Sequence, residues 1–283
     1  MRAHDVVVLA RRNAVAATIA RDGVEVDDAG DVQRVAVRAT TDPAEFADRD
    51  AVIVAVKSYA TADALAPLRG VLPPHALVAT VQNGIDNAGA VREMLPDART
   101  IAGSTTQGVV LLGDGRVRTV NRGTTTFARD DATAPTSDDL AAAFLAAGLD
   151  ARVADDVGLL LWRKLVIVAA INPLGALTGS TNGAVASDPD LVPLARALAA
   201  EAAAVARAEG VDPGDAWAAV EAAAQATAAN RNSMLQDLDA GRPTEIDAIS
   251  GAILRRGRTH GIAVPMTETI LRLVRARERS AAR

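Results

Sequence analysis

The segment DAVIVAVKSYATADALAPLRGVLPPHALVATVQNG, residues 50–84, decides the fold. It contains two short apolar runs, 51–56 and 76–81, on either side of a helical pattern at 61–68. Nearly continuous apolar runs of this length, rich in valine and isoleucine, are typical of strands that are covered on both faces in a parallel sheet. The segment therefore predicts a strand–helix–strand unit.

The same alternation continues upstream, where an apolar run at 6–10 precedes a helical pattern at 13–20. Strands that alternate with helices predict an α/β domain with a doubly wound, Rossmann-type sheet. Downstream, the runs 108–112 and 116–120 flank Gly113-Asp114-Gly115, which predicts an antiparallel hairpin rather than a phosphate-binding loop.

The chain becomes almost wholly helical after Ser137, and Asp155 or Asp156 is a plausible N-cap for a long helix. Further helical patterns run over about 189–209, 213–229, 246–256 and 267–277. A chain of 283 residues exceeds the usual size of a single core. We therefore expect an α/β domain at 1–154 and an all-α domain at 155–283.

Composition excludes several classes of function. The net charge of -5 offers no general attraction to nucleic acid or to an anionic membrane. The chain has no cysteine and three scattered histidines, so thiolate chemistry is excluded and no metal site is expected. Its opening residues lack a secretory signal, and the apolar run 165–178 is read as a buried helix rather than a membrane span. We expect a cytoplasmic protein, and its Ala-rich second half leaves room for a homodimer interface.

Polar residues follow three of the predicted strands. Arg11 and Arg12 follow the run 6–10, where a Rossmann fold contacts the adenosine ribose, and arginine there favours a 2′-phosphate over a 2′-hydroxyl. Lys57 follows the run 51–56, and Asn83-Gly84 follows the run 76–81. The carboxyl ends of parallel strands form the ligand crevice of such a sheet. The pattern therefore favours a dinucleotide site, although solvated arginines and a plain Asn-Gly turn are alternatives.

An apolar helix at 161–174 carries Lys164 and Asn172 on one face, two i,i+4 steps apart. A lysine in such a helix is costly to bury, and Pro173 removes a backbone hydrogen bond near Asn172. Carbonyl reduction would explain the lysine, because an ammonium group can stabilise the developing alkoxide and supply its proton.

A polar stripe follows further along the chain. Asn230, Ser233 and Asp237 recur at helical spacing and could line a cleft or simply face solvent. The sequence Thr244-Glu245-Ile246-Asp247 resembles a capping box, so the local pattern predicts that Glu245 is only a first-turn carboxylate.

Taken together, these segments resemble the ketopantoate reductase (2-dehydropantoate 2-reductase) family, from His4 almost to the C-terminus. The motifs that carry the resemblance occur in the family's order and spacing: Val54-Ala-Val-Lys57, Gln82-Asn83-Gly84, Trp162-Arg-Lys164, Ile171-Asn172-Pro173-Leu174, Thr181-Asn182-Gly183, Asn230-Arg-Asn-Ser233-Met-Leu-Gln-Asp237, Thr244-Glu245-Ile246-Asp247 and Gly261-Ile-Ala-Val-Pro265.

The resemblance implies NADPH-dependent reduction of 2-dehydropantoate, a small 2-keto acid, to pantoate on the way to pantothenate and coenzyme A. It makes Lys164 the general acid and Glu245 the residue that orients the substrate and the cofactor ribose. The other implied roles are cofactor binding by Arg11, Lys57 and Asn83, and substrate binding by Asn172, Asn182, Asn230 and Ser233.

Two features depart from the family. Val168 stands where the family usually has a second asparagine, one turn after the lysine, and valine cannot form a side-chain hydrogen bond. The family's first strand and Gly-x-Gly-x-x-Gly turn do not precede His4. We expect that a start codon assigned too far downstream, rather than a real truncation, accounts for the second departure. We expect unpaired strand edges, weak cofactor binding and poor stability of the polypeptide that begins at Met1.

Two alternatives remain open from the sequence. One is an NADP-dependent reductase of another small 2-keto acid, because Val168 alters the substrate pocket. The other is a truncated paralogue that has lost turnover and keeps the helical domain for binding or dimerisation.

Overall fold

The computed structural model describes residues 5–130 and 135–281, which divide into two compact units. The first unit runs through Val56 and adds Ala60–Gln82 and Ala88–Asp155. The second unit begins at Asp156 and includes two short segments from the first half of the chain, Lys57–Tyr59 and Asn83–Asn87. These two segments follow the second and third apolar runs, so part of the α/β half of the sequence belongs to the helical unit.

The first unit consists of strands with flanking helices. Its strands are β1 (Val7–Leu9), β2 (Val24–Asp28), β3 (Asp31–Val35), β4 (Arg38–Thr40), β5 (Ala51–Val54), β6 (Leu77–Thr80), β7 (Arg99–Thr105), β8 (Gly108–Gly113), β9 (Arg116–Asn121), β10 (Thr125–Ala128) and β11 (Ala151–Ala154). Its helices are α1 (Asn13–Asp22), α2 (Thr61–Leu65), α3 (Asn87–Met94), whose first residue belongs to the second unit, and α4 (Ser137–Ala146).

The main sheet of this unit has the strand order β11-β10-β7-β6-β5 in the described part of the chain. Strands β5, β6 and β7 are parallel, and β6 is buried at every position, as its continuous apolar sequence predicts. Helix and strand alternate here as expected, which confirms the Rossmann-type α/β class.

Strands β1 and β4 form a separate parallel pair. Within residues 5–130 and 135–281, β1 pairs only with β4 and β5 pairs only with β6, so each has one edge without a strand partner. Val6, Ile53 and Val56, on or beside these strands, are exposed. The structure thus contains the unpaired edges that the sequence predicted.

A second sheet, ordered β3-β2-β9-β8, contains the predicted hairpin of β8 and β9 around Gly115, which has a positive φ of 71°. Its partner hairpin, β2 with β3, and the short strand β11 were not predicted from the sequence. Ion pairs from Glu25 and Asp27 to arginines on β9 and β3 hold this surface sheet together.

The second unit is helical. Its helices are α5 (Val157–Thr178), α6 (Asn182–Val185), α7 (Leu191–Ala208), α8 (Ala216–Ala226), α9 (Ser233–Asp239), α10 (Ile246–Thr259) and α11 (Pro265–Ala281). Helix α5 packs against all the others and supplies the largest share of the core, including the fully buried Trp162. The Asp156 carboxylate accepts a hydrogen bond from the Leu159 amide at 2.8 Å and begins α5 as an N-cap.

Helix α5 is longer than the apolar run that predicted it. Among the described helices it alone is long and apolar enough to cross a membrane by length and composition, and half of its most apolar stretch is buried within the protein. Its buried residues pack into the core of the second unit, so it serves there as a core helix. The structure therefore bears out the buried helix that the sequence predicted, although the helix begins eight residues before the apolar run 165–178.

Candidate active site

Lys164 lies in the third turn of α5, directly after the exposed Arg163. Its side chain is largely withdrawn from solvent, and this burial lowers the pKa of Lys164 from 10.5 to about 8, while the nearby Glu245 charge acts in the opposite direction. An ammonium group with such a pKa is mostly protonated at neutral pH and releases its proton more readily than an ordinary lysine. This is the property that a general acid requires.

Glu245 precedes α10 and is buried, with 7% of its side chain exposed. Its Oε1 accepts a hydrogen bond from the Ser58 amide at 2.9 Å, and its Oε2 accepts one from Asn83 Nδ2 at 3.0 Å. The predicted capping box is wrong: Glu245 occupies the N-cap position and gives its helix no side-chain cap, while Thr244 Oγ1 accepts from the Ile246 amide. The carboxylate is instead committed to the two segments from the first half of the chain.

The segment Asn83–Asn87 is held against α10 at several points. Gly84 has a positive φ of 107°, and a Cβ there would lie 2.8 Å from the Ala248 carbonyl oxygen. Asp86 accepts hydrogen bonds from Arg255 at 2.9 Å and Arg256 at 2.5 Å. The asparagine at the start of this segment is therefore fixed by backbone conformation and by charge.

Lys57 lies in the other short segment. Its Nζ donates to Asp237 Oδ2 at 2.5 Å and lies 4.0 Å from Glu245 Oε2. The Asp237 side chain is 3% exposed and also accepts two hydrogen bonds from Arg242, at 2.9 and 3.1 Å. Glu245, which accepts the hydrogen bond from Asn83, thus belongs to a cluster of two cations and two carboxylates.

The four predicted substrate residues lie in the second unit. Asn172 is buried in α5, and Ser233 is exposed at the first position of α9. Asn182 and Asn230 are brought together, since the Asn182 amide donates to the Asn230 carbonyl oxygen at 2.9 Å. The Asn182 Nδ2 donates to Thr227, whereas its buried Oδ1 has no partner among the described residues. Such an oxygen can accept a hydrogen bond from a hydroxyl group of a ligand.

Arg11 lies in the first unit directly after β1. It is exposed and forms no ion pair within residues 5–130 and 135–281, while its neighbour Arg12 is paired with Asp114 at 2.7 Å. Of the two adjacent arginines, Arg11 is therefore the one available to a phosphate. No group of three or more residues suited to a metal ion is found in the described part of the protein.

Sequence reasoning did not select Asp237, Arg242 or the Ser58 amide as site groups. Asp237 was recognised only as one position of a polar stripe, and that stripe divides in the structure, because Asp237 is buried and Ser233 is exposed. A carboxylate among Met234, Leu235 and Leu238, which are all buried, was the available signal.

This arrangement can perform one kind of chemistry well. A partly buried ammonium group with a lowered pKa lies near a buried carboxylate, which is itself aligned by an asparagine amide and a backbone amide. Such a group can protonate an oxygen on which negative charge develops.

Known proteins resemble this chain along most of its length. Two family models match the chain, "Ketopantoate reductase PanE/ApbA" over residues 2–131 and "Ketopantoate reductase PanE/ApbA C terminal" over residues 156–278. The 2-dehydropantoate 2-reductase of Halobacterium salinarum is 36% identical over 92% of this chain and 87% of its own length.

Solved structures also resemble the chain. A PanE/ApbA family ketopantoate reductase from Ralstonia eutropha JMP134 has a TM-score of 0.90 at 32% identity, over 99% of this chain and 92% of that one. The ternary structure of D-mandelate dehydrogenase with NADH and anilino(oxo)acetate also has a TM-score of 0.90, over 98% of this chain and 92% of that one, but at 22% identity it shows the shared fold alone. With both family models and a relative of this similarity, the chain belongs to the ketopantoate reductase family.

Proposed function

We propose that this chain reduces 2-dehydropantoate to pantoate with NADPH, and that Lys164 is the general acid. The single observation that carries the proposal is the partly buried Lys164 ammonium, whose pKa is lowered to about 8 by burial beside the charge of Glu245. The chain's 36% identity to a 2-dehydropantoate 2-reductase, across almost its whole length, supports the choice of substrate.

The nicotinamide, when bound, supplies the hydride. As the ketone carbon is reduced, negative charge develops on its oxygen, and the Lys164 ammonium stabilises this charge and donates the proton. The neutral amine that results suits its buried position better than the ammonium did, because burial penalises only the charged form. Glu245 limits this effect and keeps the acid protonated at neutral pH.

The cofactor-binding residues are the exposed guanidinium of Arg11 for the 2′-phosphate, with Lys57 and Asn83 as further contacts. Arg11 fits this role because it has no ion-pair partner within the described residues. Asn172, Asn182, Asn230 and Ser233 are proposed to bind the substrate through its hydroxyl and carboxylate. We further propose a cytoplasmic location for the protein, a homodimeric state through the Ala-rich helical unit, and domain limits of 1–154 and 155–283.

The test of the proposal is a comparison of Lys164→Ala with Arg163→Ala. We expect Lys164→Ala to lower kcat for 2-dehydropantoate by roughly 10²- to 10⁴-fold while cofactor binding is retained. Arg163 is an exposed cation on the same turn of α5, so Arg163→Ala should stay close to the wild-type rate. Turnover unaffected by Lys164→Ala would rule out the mechanism, and a wild-type protein without turnover would favour a paralogue that has lost catalysis.

A second candidate substrate class follows from Val168. This apolar residue lies on α5 one turn after Lys164, on the same face as Asn172, and is only partly buried. A site that lacks a hydrogen-bonding group at this position discriminates weakly in favour of a hydroxylated substrate. A small 2-keto acid without the hydroxyl is therefore the alternative.

The Val168→Asn variant decides between these substrates. If 2-dehydropantoate is the substrate, the new amide should raise kcat/KM for it relative to the same 2-keto acid without the hydroxyl, by roughly 10-fold. Steady-state kinetics with both acids, on the wild type and the variant, gives the ratio. A wild type that already prefers the acid without the hydroxyl would establish the alternative.

A further inference from the structure

Asp237 is a carboxylate that the mechanism has not yet used, although it is among the most buried charged groups of the described chain, at 2% exposure. Burying a carboxylate is costly unless it is paired and hydrogen-bonded. Here Oδ2 receives the Lys57 ammonium at 2.5 Å and Oδ1 receives the Arg242 guanidinium at 2.9 and 3.1 Å. Each oxygen of Asp237 is thus committed to a different cation.

Lys57 has two carboxylates within reach. Its Nζ is bonded to Asp237 but lies 4.0 Å from Glu245 Oε2, just beyond hydrogen-bond distance. That same Oε2 accepts the hydrogen bond from Asn83 Nδ2 at 3.0 Å. If Lys57 moved by about 1 Å toward Glu245, it would compete with Asn83 for one oxygen.

We propose that Asp237 is a positioning residue, which holds the Lys57 ammonium away from Glu245 and so leaves Glu245 available to Asn83 and Lys164. This inference rests on the proposed roles of Lys164 and Glu245. Lys57 is one third exposed and carries its charge at the end of a four-carbon stem, so the position of its Nζ depends on the anion that holds it. Without the carboxylate of Asp237, the nearest anion for Lys57 is Glu245.

The charged and titratable groups around the pair come from four parts of the second unit. Lys57 and Tyr59 come from one short segment, Arg242 follows α9, Glu245 precedes α10 and Lys164 comes from α5. The pKa of Tyr59 is raised, first by burial and then by the charge of Asp237. The negative charge of Glu245 raises the pKa of Lys164. If Lys57 paired with Glu245, that charge would be partly neutralised and the pKa of Lys164 would fall further.

The decisive variant is Asp237→Asn, studied through the pH dependence of kcat/KM for 2-dehydropantoate with NADPH. We expect a fall in kcat/KM of roughly 10- to 100-fold, and a shift to lower pH of the alkaline limb on which Lys164 loses its proton. The matched control is Asp239→Asn, on the same helix, where the carboxylate is half exposed and paired with Arg231. It should keep the wild-type profile.

Lys57→Met separates a positioning role from a structural one. If Asp237 acts through Lys57, then adding Asp237→Asn to Lys57→Met should cause little further loss, and the two effects should be strongly non-additive. If the losses multiply, or if Asp237→Asn lowers only the melting temperature and leaves the pH profile in place, the proposal is wrong. A Lys164→Ala enzyme with full activity would instead contradict the proposed function itself, which keeps the two failures distinguishable.

Asp237→Glu covers the case in which Asp237→Asn does not fold. It keeps the negative charge available to both cations, so its alkaline limb should remain at the wild-type pH while part of the rate is lost through the changed geometry. The same comparison with Lys57→Met applies to this variant. Multiplying losses would again overturn the proposal, and non-additive losses would support it.

Discussion

At the scale of single residues, the proposed mechanism makes the activity depend on the protonation of Lys164. A general acid acts only while it carries its proton. Burial lowers the pKa of Lys164 and the charge of Glu245 raises it, but burial has the larger effect, so the pKa is about 8. We expect kcat/KM to be level at neutral pH, to fall above about pH 8, and to lose tenfold for each further pH unit. A steady-state profile between pH 6 and pH 10 measures this limb.

The companion variant is Glu245→Gln. The charge of Glu245 raises the pKa of Lys164, so its removal should move the alkaline limb to lower pH and reduce the neutral rate by roughly 10- to 1000-fold. Glu209→Gln is a suitable comparison, because Glu209 is also a largely buried carboxylate of the second unit and is paired with Arg256. A limb that stays in place in Glu245→Gln would show that another group titrates there.

At the scale of elements, the backbone of Asn83–Asn87 sets the position of Asn83. Gly84 has a φ of 107° and packs against α10 so closely that a Cβ would lie 2.8 Å from the Ala248 carbonyl oxygen. Gly84→Ala should therefore displace the segment, lower the free energy of unfolding by about 1–3 kcal/mol and reduce kcat/KM. Chemical denaturation and steady-state kinetics measure the two effects.

Gly89→Ala is the matched control for this prediction. Gly89 lies in α3, and a Cβ there would meet no atom within 4 Å. Alanine is favoured over glycine inside a helix by about 0.5–1 kcal/mol, so this variant should be slightly more stable and fully active. If Gly84→Ala and Gly89→Ala had the same free energy of unfolding and the same kcat/KM, the close contact of Gly84 with α10 would contribute nothing to stability or activity.

The elements differ in how well they can be predicted from their sequence. Strand β6 was predicted because it is apolar at nearly every position, whereas β2 and β3 carry charged residues such as Glu25 and Arg34, whose partners lie on neighbouring strands. Lys164 was recognisable because a charge inside an apolar helix is conspicuous. The local pattern at Glu245 wrongly predicted a capping box, because the partners of this carboxylate, Ser58 and Asn83, lie 187 and 162 positions away in the chain.

At the scale of the whole molecule, the preference for one cofactor over another can be measured from the thermal stability of the protein. A ligand that binds only the folded protein stabilises it by RT ln(1 + [L]/Kd), so two cofactors at equal concentration are ranked by the shift that each causes in Tm. Arg11 is an exposed cation without an ion-pair partner in the described chain, and the protein carries a net charge of -5. Local pairing with this guanidinium, rather than net charge, should therefore favour the extra phosphate of NADPH over NADH.

Arg11→Asp tests this preference. A charged hydrogen bond contributes about 1.5–3 kcal/mol to binding. The loss of the guanidinium should therefore weaken NADPH binding and reduce the ratio of the NADH dissociation constant to the NADPH dissociation constant by roughly 10- to 100-fold. In thermal melts at matched cofactor concentrations, the larger shift seen with NADPH should disappear. Arg12→Ala removes the neighbouring cation, whose guanidinium already binds Asp114, and should leave the preference intact. Should Arg12→Ala abolish the preference while Arg11→Asp retains it, the 2′-phosphate would have to be assigned to Arg12, and its ion pair with Asp114 would have to open when NADPH binds.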